Sequence, residues 1–442
     1  MHVMDPAAEA FIKVCSDVLE KNAIDGYTVP SRHIYPHQWL WDSCFTAIGL
    51  RHVDIRRARK ELRTLKRGAW SNGMMPNMIF HESFLNFDHT LWKSKSLKEA
   101  PRNVSTTCIT QPPMLAEAVF RVGQSMPKAE RLKWYRSMLG CIKDYHKWLY
   151  TERDPDGDGL VVQLHPYESG MDNSPPWMYV LSRMNHPWWL KIFNKHSIKI
   201  IINHFRRDGG FVPVSQRIGL RDALRSFYAI KELAKRKYKY ANGDKNQVVV
   251  QDLMFNCILI RANKLLLHMA EATGEKLPSE LTDAFASTEQ SLEKLWSHEN
   301  NRYYSRNFLT KRLIKQDTLS AFMPLYAGCI SKSRAEILAR RLRKAGEYGT
   351  DFPVPSVPLD SVHFRKRKYW QGPSWANTNW LIIQGLKNYG FDSLAGDLRH
   401  STLLMIARSG SYEYFSPLDG AGEGIQDFSW TASLAIDLLK TD

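Results

Sequence analysis

The chain lacks closely spaced cysteine pairs, membrane-length apolar runs and low-complexity tracts. Its six cysteines, with no CxxC pair among them, stand mostly in apolar helical stretches at positions 15, 44, 108, 141, 257 and 329. This scatter is typical of free buried thiols in a reducing compartment. No run of 18 apolar residues occurs, which argues against a membrane-spanning helix. Asp5 and Glu9 interrupt any apolar core near the N-terminus, so we expect no secretory signal and a cytoplasmic protein.

Strand-like alternation is scarce, and no sequence period of about 30 to 50 residues is present, which argues against a TPR or HEAT array. Apolar residues at three- and four-residue spacing instead predict helices. These helices span 7–21, 43–67, 112–122, 128–150, 219–239, 250–273, 280–297, 317–328, 332–345, 374–389, 392–408 and 428–440. Such a set, joined by irregular aromatic loops, predicts an all-α protein with helices paired around a ring. Because no linker composition appears, we expect one domain over 1–442.

Acidic residues are the scarcer charge, 45 against 61 basic ones, and the net charge is +16. A basic surplus of this size permits attraction to polyanions. The basic residues are spread over several helical stretches, however, and there is no zinc-finger spacing, RNP-type motif or basic tail. We therefore predict neither a dedicated nucleic-acid site nor a membrane partner, and the sequence carries no signal for an oligomeric state.

The unusual composition lies in the loops. Aromatic residues make up 12% of the chain, including 14 tryptophans. The long irregular segments are 27–41, 70–100, 154–177, 351–374 and 410–427. Long loops in a compact protein are usually functional. Tryptophan in such loops suits a sugar ligand, because the apolar face of a pyranose stacks on an indole while its hydroxyls seek polar partners.

Two acids stand in the most unusual loop, residues 165–177, among glycine, prolines and aromatics. They are Glu168 and Asp172. A carboxylate in an aromatic pocket is partly desolvated, so its pKa rises and it can act as a general acid near neutral pH. The alternative is a turn or helix cap. Far downstream, Glu413 lies between Tyr412 and Tyr414. Two such carboxylates are the minimal equipment of a glycoside hydrolase.

Asp154-Pro-Asp-Gly-Asp-Gly159 begins like a calcium loop. The twelfth position of that loop is His165, where a calcium loop has a bidentate glutamate. We favour a hydrogen-bonded turn that leads into the acid loop, with calcium as the alternative. No metal is therefore predicted at this loop.

Six motifs in order carry a resemblance to a known family. They are YPHQWLWDSCF at 35–45, NGMMP at 72–76, ITQPP at 109–113, ESGMDNSP at 168–175, YWQGPSW at 369–375 and YEYF at 412–415. Together they resemble glycoside hydrolase family 63, and within it the compact single-domain branch of mannosylglycerate and glucosylglycerate hydrolases. The resemblance runs from about residue 33 to the end and is weak only around 178–245.

The resemblance implies an (α/α)6 toroid, a single catalytic domain and an inverting α-glycosidase that needs no cofactor. Asp172 would be the general acid and Glu413 the general base that activates water on the opposite face of the sugar. An inverting enzyme places two such carboxyl groups roughly 6.5 to 9.5 Å apart. The implied substrate is a small α-glucoside or α-mannoside, with glucosylglycerate or mannosylglycerate as the lead. An insert at about 178–215 would shape the aglycone side.

The resemblance also implies a set of sugar-binding residues. They are Tyr35, Trp39, Trp41, Asp42, Gln111 and Trp375. For Asp42 the alternative is a helix N-cap, and for Trp375 it is core packing. Glu168 is included as a residue that binds either the sugar or its own loop.

The aglycone side departs from the family pattern. Arg217 and Tyr369 fit positions that hold a glycerate carboxylate, but Phe87, Ala223 and Phe428 stand where the family has polar side chains. A phenylalanine cannot donate the hydrogen bond that a buried carboxylate requires. A neutral disaccharide or glucosylglycerol is thus the alternative substrate. A sugar-binding protein without turnover is a further one, although the presence of both carboxylates argues against it.

Overall fold

The structure is a computed structural model that describes residues 6–82, 91–188, 190 and 210–441. Phe87 and most of the predicted insert lie outside the described residues. The described α-helices are α1 Pro6–Lys21, α2 Leu40–Leu50, α3 Ile55–Leu65, α4 Leu115–Gln124, α5 Lys128–Arg153, α6 Pro175–Leu181, α7 Leu220–Lys235, α8 Leu253–Thr273, α9 Ser279–Ser291, α10 Met323–Ala327, α11 Lys332–Leu342, α12 Ala376–Asn388, α13 Asp392–Ser409 and α14 Ser429–Lys440.

Six of these helices form a closed inner ring. Helix α2 packs on α4, α4 on α8, α8 on α10, α10 on α12, α12 on α14, and α14 returns to α2. The outer helices α1, α3, α5, α9, α11 and α13 each pack on one or two inner ones. The predicted (α/α)6 toroid is confirmed. Helices α6 and α7 pack on each other beside the ring.

The inner helices are apolar around most of their circumference because they have neighbours on several sides. Every residue of α2 is buried, as are residues 429–438 of α14. In the described part of the chain, α8 is the one helix long and apolar enough to cross a membrane, and 78% of its most apolar window is buried inside the protein. Its apolar composition is therefore that of a buried helix of the inner ring.

Most predicted helices occur close to their expected bounds, but the single helix predicted over 43–67 is wrong. The chain breaks after α2, and Asp54 caps a new helix, α3. The Asp54 carboxylate accepts hydrogen bonds from the backbone N–H groups of Arg56 and Arg57, both at 3.0 Å. This cap satisfies donors that a helix start leaves without partners, so it reverses the chain from the inner to the outer layer.

The strands are all two residues long and antiparallel. They are β1 Ala23–Ile24, β2 Tyr27–Thr28, β3 Gln38–Trp39, β4 Met78–Ile79, β5 Val250–Gln251, β6 Trp296–Ser297, β7 Arg302–Tyr303, β8 Arg306–Asn307, β9 Arg312–Leu313, β10 Tyr414–Phe415 and β11 Gly422–Glu423. They pair as β1–β2, β3–β4, β5–β8–β9, β6–β7 and β10–β11. The pairs β3–β4 and β10–β11 matter for function, because they fix the loops at the start of the inner helices α2 and α14.

Candidate active site

One pocket collects residues from segments far apart in the chain, most of them where an inner helix begins. Its lining comprises Pro30, Tyr35, Trp39, Trp41, Asp42, Gln111, Gly170, Asp172, Tyr369, Trp370, Glu413, Phe428 and Trp430. Eight of the eleven residues predicted for the site are in this set: Tyr35, Trp39, Trp41, Asp42, Gln111, Asp172, Glu413 and, from the aglycone side, Tyr369.

Asp172 lies in the loop between α5 and α6. Gly170, two residues earlier, has a φ of +76°, and a Cβ there would come within 2.5 Å of the Trp41 ring. Only glycine therefore allows the loop to pass this close to the pocket wall. Burial raises the pKa of Asp172 to about 7, and the charge of Glu413 adds to the rise while Arg217 opposes it. A carboxyl group with this pKa carries a proton at neutral pH about half of the time, as a general acid requires.

The loop is held from behind by a buried ion pair. The two guanidinium nitrogens of Arg153 donate to the two Glu168 oxygens at 3.0 and 2.8 Å, and the backbone N–H of Leu164 donates to one of them at 2.6 Å. Glu168 is completely buried. Its carboxylate therefore binds its own loop, the second of the two predicted alternatives, and not the sugar.

Asp42 is the third residue of α2, in its first turn. The helix is preceded by Trp39, whose side chain makes no capping bond, so the N-cap alternative for Asp42 is wrong. Burial raises the pKa of Asp42 well above its usual range, and the charges of Glu413 and Asp172 raise it further. Three carboxyl groups thus share one pocket, two of them in environments that disfavour their charge.

Glu413 immediately precedes β10 and is almost completely buried. Arg217 donates to its two oxygens at 2.9 and 3.2 Å, and the Tyr35 hydroxyl donates to Oε1 at 2.9 Å. Across the hairpin, Gly424 has a φ of +74°, and a Cβ there would come within 2.6 Å of the Glu413 carboxylate. The glycine keeps the opposite strand's backbone close without displacing that carboxylate.

The segments that carry the two carboxylates are joined by hydrogen bonds. Asn173 follows Asp172, and its side-chain oxygen accepts from the backbone N–H of Trp370 at 2.9 Å. Ser374 and Phe415 exchange backbone bonds of 2.8 and 2.9 Å, which tie the segment around Trp370 to β10. The loop that carries Asp172, the segment around Trp370 and the β10–β11 hairpin beside Glu413 therefore form one connected support, which preserves the geometry between the two carboxyl groups.

The aromatic walls suit a polyhydroxylated ligand. Trp39 and Trp430 line the pocket, and the indole N–H of each is buried with no hydrogen-bond partner among the described residues. A buried donor of this kind is satisfied when a sugar hydroxyl accepts from it. Trp370 lines the pocket too, but Trp375 is fully buried and stacks on the back of Trp370 with ring centroids 3.7 Å apart. Direct contact of Trp375 with sugar is therefore corrected to packing behind the wall.

Four lining residues were missed: Pro30, Gly170, Trp370 and Trp430. A signal for Trp430 exists in the sequence. Phe428 and Trp430 are two residues apart at the start of α14, which is the same spacing as that of Trp39 and Trp41 at the start of α2. No comparable local signal marks Pro30, which reaches the pocket from an irregular segment after β2.

The described aglycone-side residues have mixed chemistry. The guanidinium of Arg217 lies 5.5 and 4.8 Å from the ring centroids of Tyr35 and Tyr369, and Phe428 packs edge-on against Tyr35. Ala223 is half-buried on α7. One cation and two hydroxyl groups therefore stand beside an apolar ring.

The turn predicted at 154–159 is confirmed. The Asp154 carboxylate accepts from the backbone N–H groups of Asp158 and Gly159 at 3.1 and 2.9 Å. Asp158 pairs with Arg306 at 2.8 Å, and Asp156 pairs with Lys311. All three carboxylates therefore already accept hydrogen bonds or form ion pairs within the protein. Within the described ranges, no group of three His, Cys, Asp or Glu residues is arranged to hold a metal ion.

Comparison with known proteins agrees with this geometry. The profile of the mannosylglycerate hydrolase MGH1-like glycoside hydrolase domain matches residues 35–431. The chain is 36% identical to a mannosylglycerate hydrolase of Thermus thermophilus, over 95% of this chain and 98% of that one. It is 29% identical to a glucosylglycerate hydrolase of Mycolicibacterium hassiacum, over 96% of both. A crystal structure of the family 63 mannosylglycerate hydrolase from Thermus thermophilus in complex with Tris and D-glycerate superposes with a TM-score of 0.86, at 34% identity, over 97% of this chain and 99% of that one.

Proposed function

This chain belongs to the mannosylglycerate hydrolase MGH1-like glycoside hydrolase family, and we propose that it hydrolyses the α-glycosidic bond of mannosylglycerate or glucosylglycerate with inversion. The observation that carries the proposal is that Asp172 and Glu413 line the same aromatic pocket. Asp172 has a pKa of about 7, and Glu413 forms an ion pair with Arg217. An inverting mechanism needs one carboxyl group that can give a proton and another that can take one.

In this mechanism Asp172 protonates the glycosidic oxygen while the bond from that oxygen to C1 breaks. Glu413 takes a proton from a water molecule whose oxygen attacks C1 from the opposite face. The product is the β-anomer of the free sugar. Asp42 and the N–H groups of Trp39 and Trp430 supply polar contacts for the sugar hydroxyls, while the rings of Trp41 and Trp370 cover its apolar faces.

The aglycone is proposed to be glycerate. Arg217 stands beside two pocket tyrosines, so a carboxylate entering between them meets a cation and two hydroxyl donors. Charge-assisted bonds of this type are the stronger ones in a desolvated site. The relative solved with D-glycerate bound supports this choice of aglycone. Phe428 is the observation that favours the alternative, a neutral aglycone, because its ring cannot donate a hydrogen bond to a carboxylate.

Incubation with a panel of glycosides tests the proposal. The panel contains mannosylglycerate, glucosylglycerate, glucosylglycerol and α-linked glucose disaccharides, and the released monosaccharide is assayed. We expect release from a glycerate and at most slow release from the neutral compounds. Release from the neutral compounds alone would keep the mechanism and overturn the acidic aglycone. No release from any of them would overturn the enzymatic proposal for these substrates.

The pH dependence of turnover follows from the protonation of Asp172. The acid must carry its proton, so kcat/KM for a glycerate glycoside should fall as the pH rises through about 7. An α-glycosyl fluoride needs no proton on its leaving group, so its hydrolysis should lack this alkaline decline. Measurement of kcat/KM for the glycoside and for the fluoride from pH 5 to about 9 checks the prediction. An identical alkaline decline for both would contradict the assignment of the acid.

We also propose that residues 1–442 form one catalytic domain, since the inner ring uses helices from both ends of the chain. A cytoplasmic location is proposed with it. All six cysteines are free, and four of them are fully enclosed by the core, which suits a reducing compartment.

A further inference from the structure

The carboxylate of Glu413 is saturated with hydrogen-bond donors. Its Oε1 accepts from the Tyr35 hydroxyl at 2.9 Å and from Arg217 at 3.2 Å. Its Oε2 accepts from Arg217 at 2.9 Å and from the backbone N–H of Ile425 at 3.4 Å. A carboxylate oxygen has two lone pairs, so all four acceptor positions are taken. A base in this arrangement has no position for the attacking water until one donor leaves.

Arg217 is the donor best able to leave. The Ile425 N–H belongs to the backbone just after β11. The guanidinium of Arg217 sits at the end of a long side chain, between the rings of Tyr35 and Tyr369, and donates from its other terminal nitrogen to the Tyr35 hydroxyl. Both tyrosines line the pocket. The guanidinium can therefore turn from Glu413 toward an anion in the pocket while it stays between the same two rings.

The backbone beside Arg217 is fixed to the hairpin that carries Glu413. The Gly424 N–H donates to the Gln216 side-chain oxygen at 2.9 Å, and the Tyr414 hydroxyl donates to the Gln216 carbonyl. These two bonds keep the start of the arginine side chain in place. A rotation of the side chain alone is therefore enough to exchange partners.

We propose that Arg217 is a positioning residue that keeps Glu413 occupied until the carboxylate of the aglycone takes over its guanidinium. The proposal rests on the function proposed above. A carboxylate that enters the pocket competes for Nη1 of Arg217, the nitrogen that supplies both bonds to Glu413, and each bond it gains there is one that Glu413 loses. The acid of the substrate thereby frees the base that acts on that substrate. Neutral glycosides bind without this exchange, so selectivity appears in kcat more than in KM.

Hydrolysis of an α-glycosyl fluoride in the presence of free D-glycerate tests the exchange. Fluoride is small and neutral in the substrate and needs no proton from Asp172, so the assay reports on the base alone. The water oxygen forms its bond to C1, its proton passes to Glu413, and the C1–F bond breaks with the electron pair leaving on fluoride. We expect glycerate to raise the rate of fluoride release by wild-type protein about tenfold or more, the effect of removing one charge-assisted bond from the base. Glycerol, which lacks the carboxylate, should have no effect.

Arginine variants separate the exchange from a structural role. Arg217→Ala should release fluoride faster than wild type without glycerate and should not respond to glycerate. Arg217→Lys keeps the charge and should retain part of the response, and it serves as the test if the alanine variant does not fold. Arg221→Ala removes an exposed positive charge on α7, four residues away, and should respond to glycerate as wild type does.

Two results overturn the proposal. If glycerate leaves the wild-type rate of fluoride release unchanged or lowers it, Arg217 does not restrain Glu413. A folded Arg217→Ala variant that is slower than wild type on the fluoride shows that the arginine supports the base rather than occupying it. Wild-type protein that releases no fluoride and no sugar from the glycoside panel would defeat the proposed function itself, and the exchange with it.

Discussion

Asp172→Asn should lose hydrolysis of mannosylglycerate and glucosylglycerate by at least ~100-fold while it keeps most of its activity on the matching α-glycosyl fluoride. Asparagine has nearly the same shape but cannot give a proton, so a leaving alkoxide departs without assistance. Fluoride leaves without that proton. The measurement is kcat/KM for both substrates with wild type and variant. A loss limited to the glycoside identifies a general acid, whereas equal loss on both substrates would mean that Asp172 only shapes the pocket.

The fold of this variant can be checked by its thermal stability. Burial raises the pKa of Asp172 to about 7, so the folded state favours the protonated form, and the stability this contributes is lost as the pH rises through about 7. Asparagine is neutral at every pH, so the variant should melt no lower than wild type at pH 8. Asp156→Asn, which removes an exposed acid paired with Lys311, is the matched control and should leave both activities unchanged. Wild-type activity on the glycoside in Asp172→Asn would remove Asp172 from the mechanism.

Sequence periodicity predicted most of the helices because each one packs along its length against at least one other helix, which places apolar residues at three- and four-residue spacing. The error over 43–67 has a local cause. The apolar spacing continues across residues 51–54, and only the cap formed by Asp54 reveals that two helices meet there. Asp54 stands among arginines in a pattern that also fits a solvated helix surface, so spacing alone does not separate the two cases.

The candidate site was less predictable than the fold, because loop side chains follow no period. The spacing of Glu168 and Asp172 does not show that the first faces Arg153 behind the loop while the second lines the pocket. Trp370 and Trp375 likewise stack on each other and are both buried, and only the folded pocket, which Trp370 lines and Trp375 does not, shows which one meets the ligand. Arg217 and Glu413 are 196 residues apart, so their pairing depends on the closed ring.

The helix ring explains why these distant segments meet. Pocket residues lie in the first turns of α2 and α14, and others lie shortly before α4 and α12. When inner helices begin at one end of a ring, the segments before them converge there, and the N-terminal ends of the helix dipoles favour negative charge at that end. That field helps three carboxyl groups to share one pocket in which Arg217 pairs with Glu413.

Glu413→Gln should lose activity on the glycoside and the fluoride alike, by about 10²–10⁴-fold, because neither reaction proceeds without a base to take the proton from water. This pattern is the opposite of that expected for Asp172→Asn, so the two variants together assign the acid and the base. Proton NMR of the wild-type reaction should show the β-anomer first. An α-anomer as the first product would contradict inversion and the assignment of Glu413 with it.

Azide can replace the missing base. Glu413→Ala opens room for a small anion, and azide attacks C1 without first losing a proton, so the variant should form a β-glycosyl azide from the α-glycosyl fluoride. Glu423→Gln is the matched control. Glu423 is also buried, on the opposite strand of the same hairpin, but its carboxylate pairs with Arg367 and does not line the pocket. It should keep the anomeric outcome and most of the rate. If both variants lose activity equally and azide restores neither, the hairpin needs its carboxylates for support, and Glu413 is not the base.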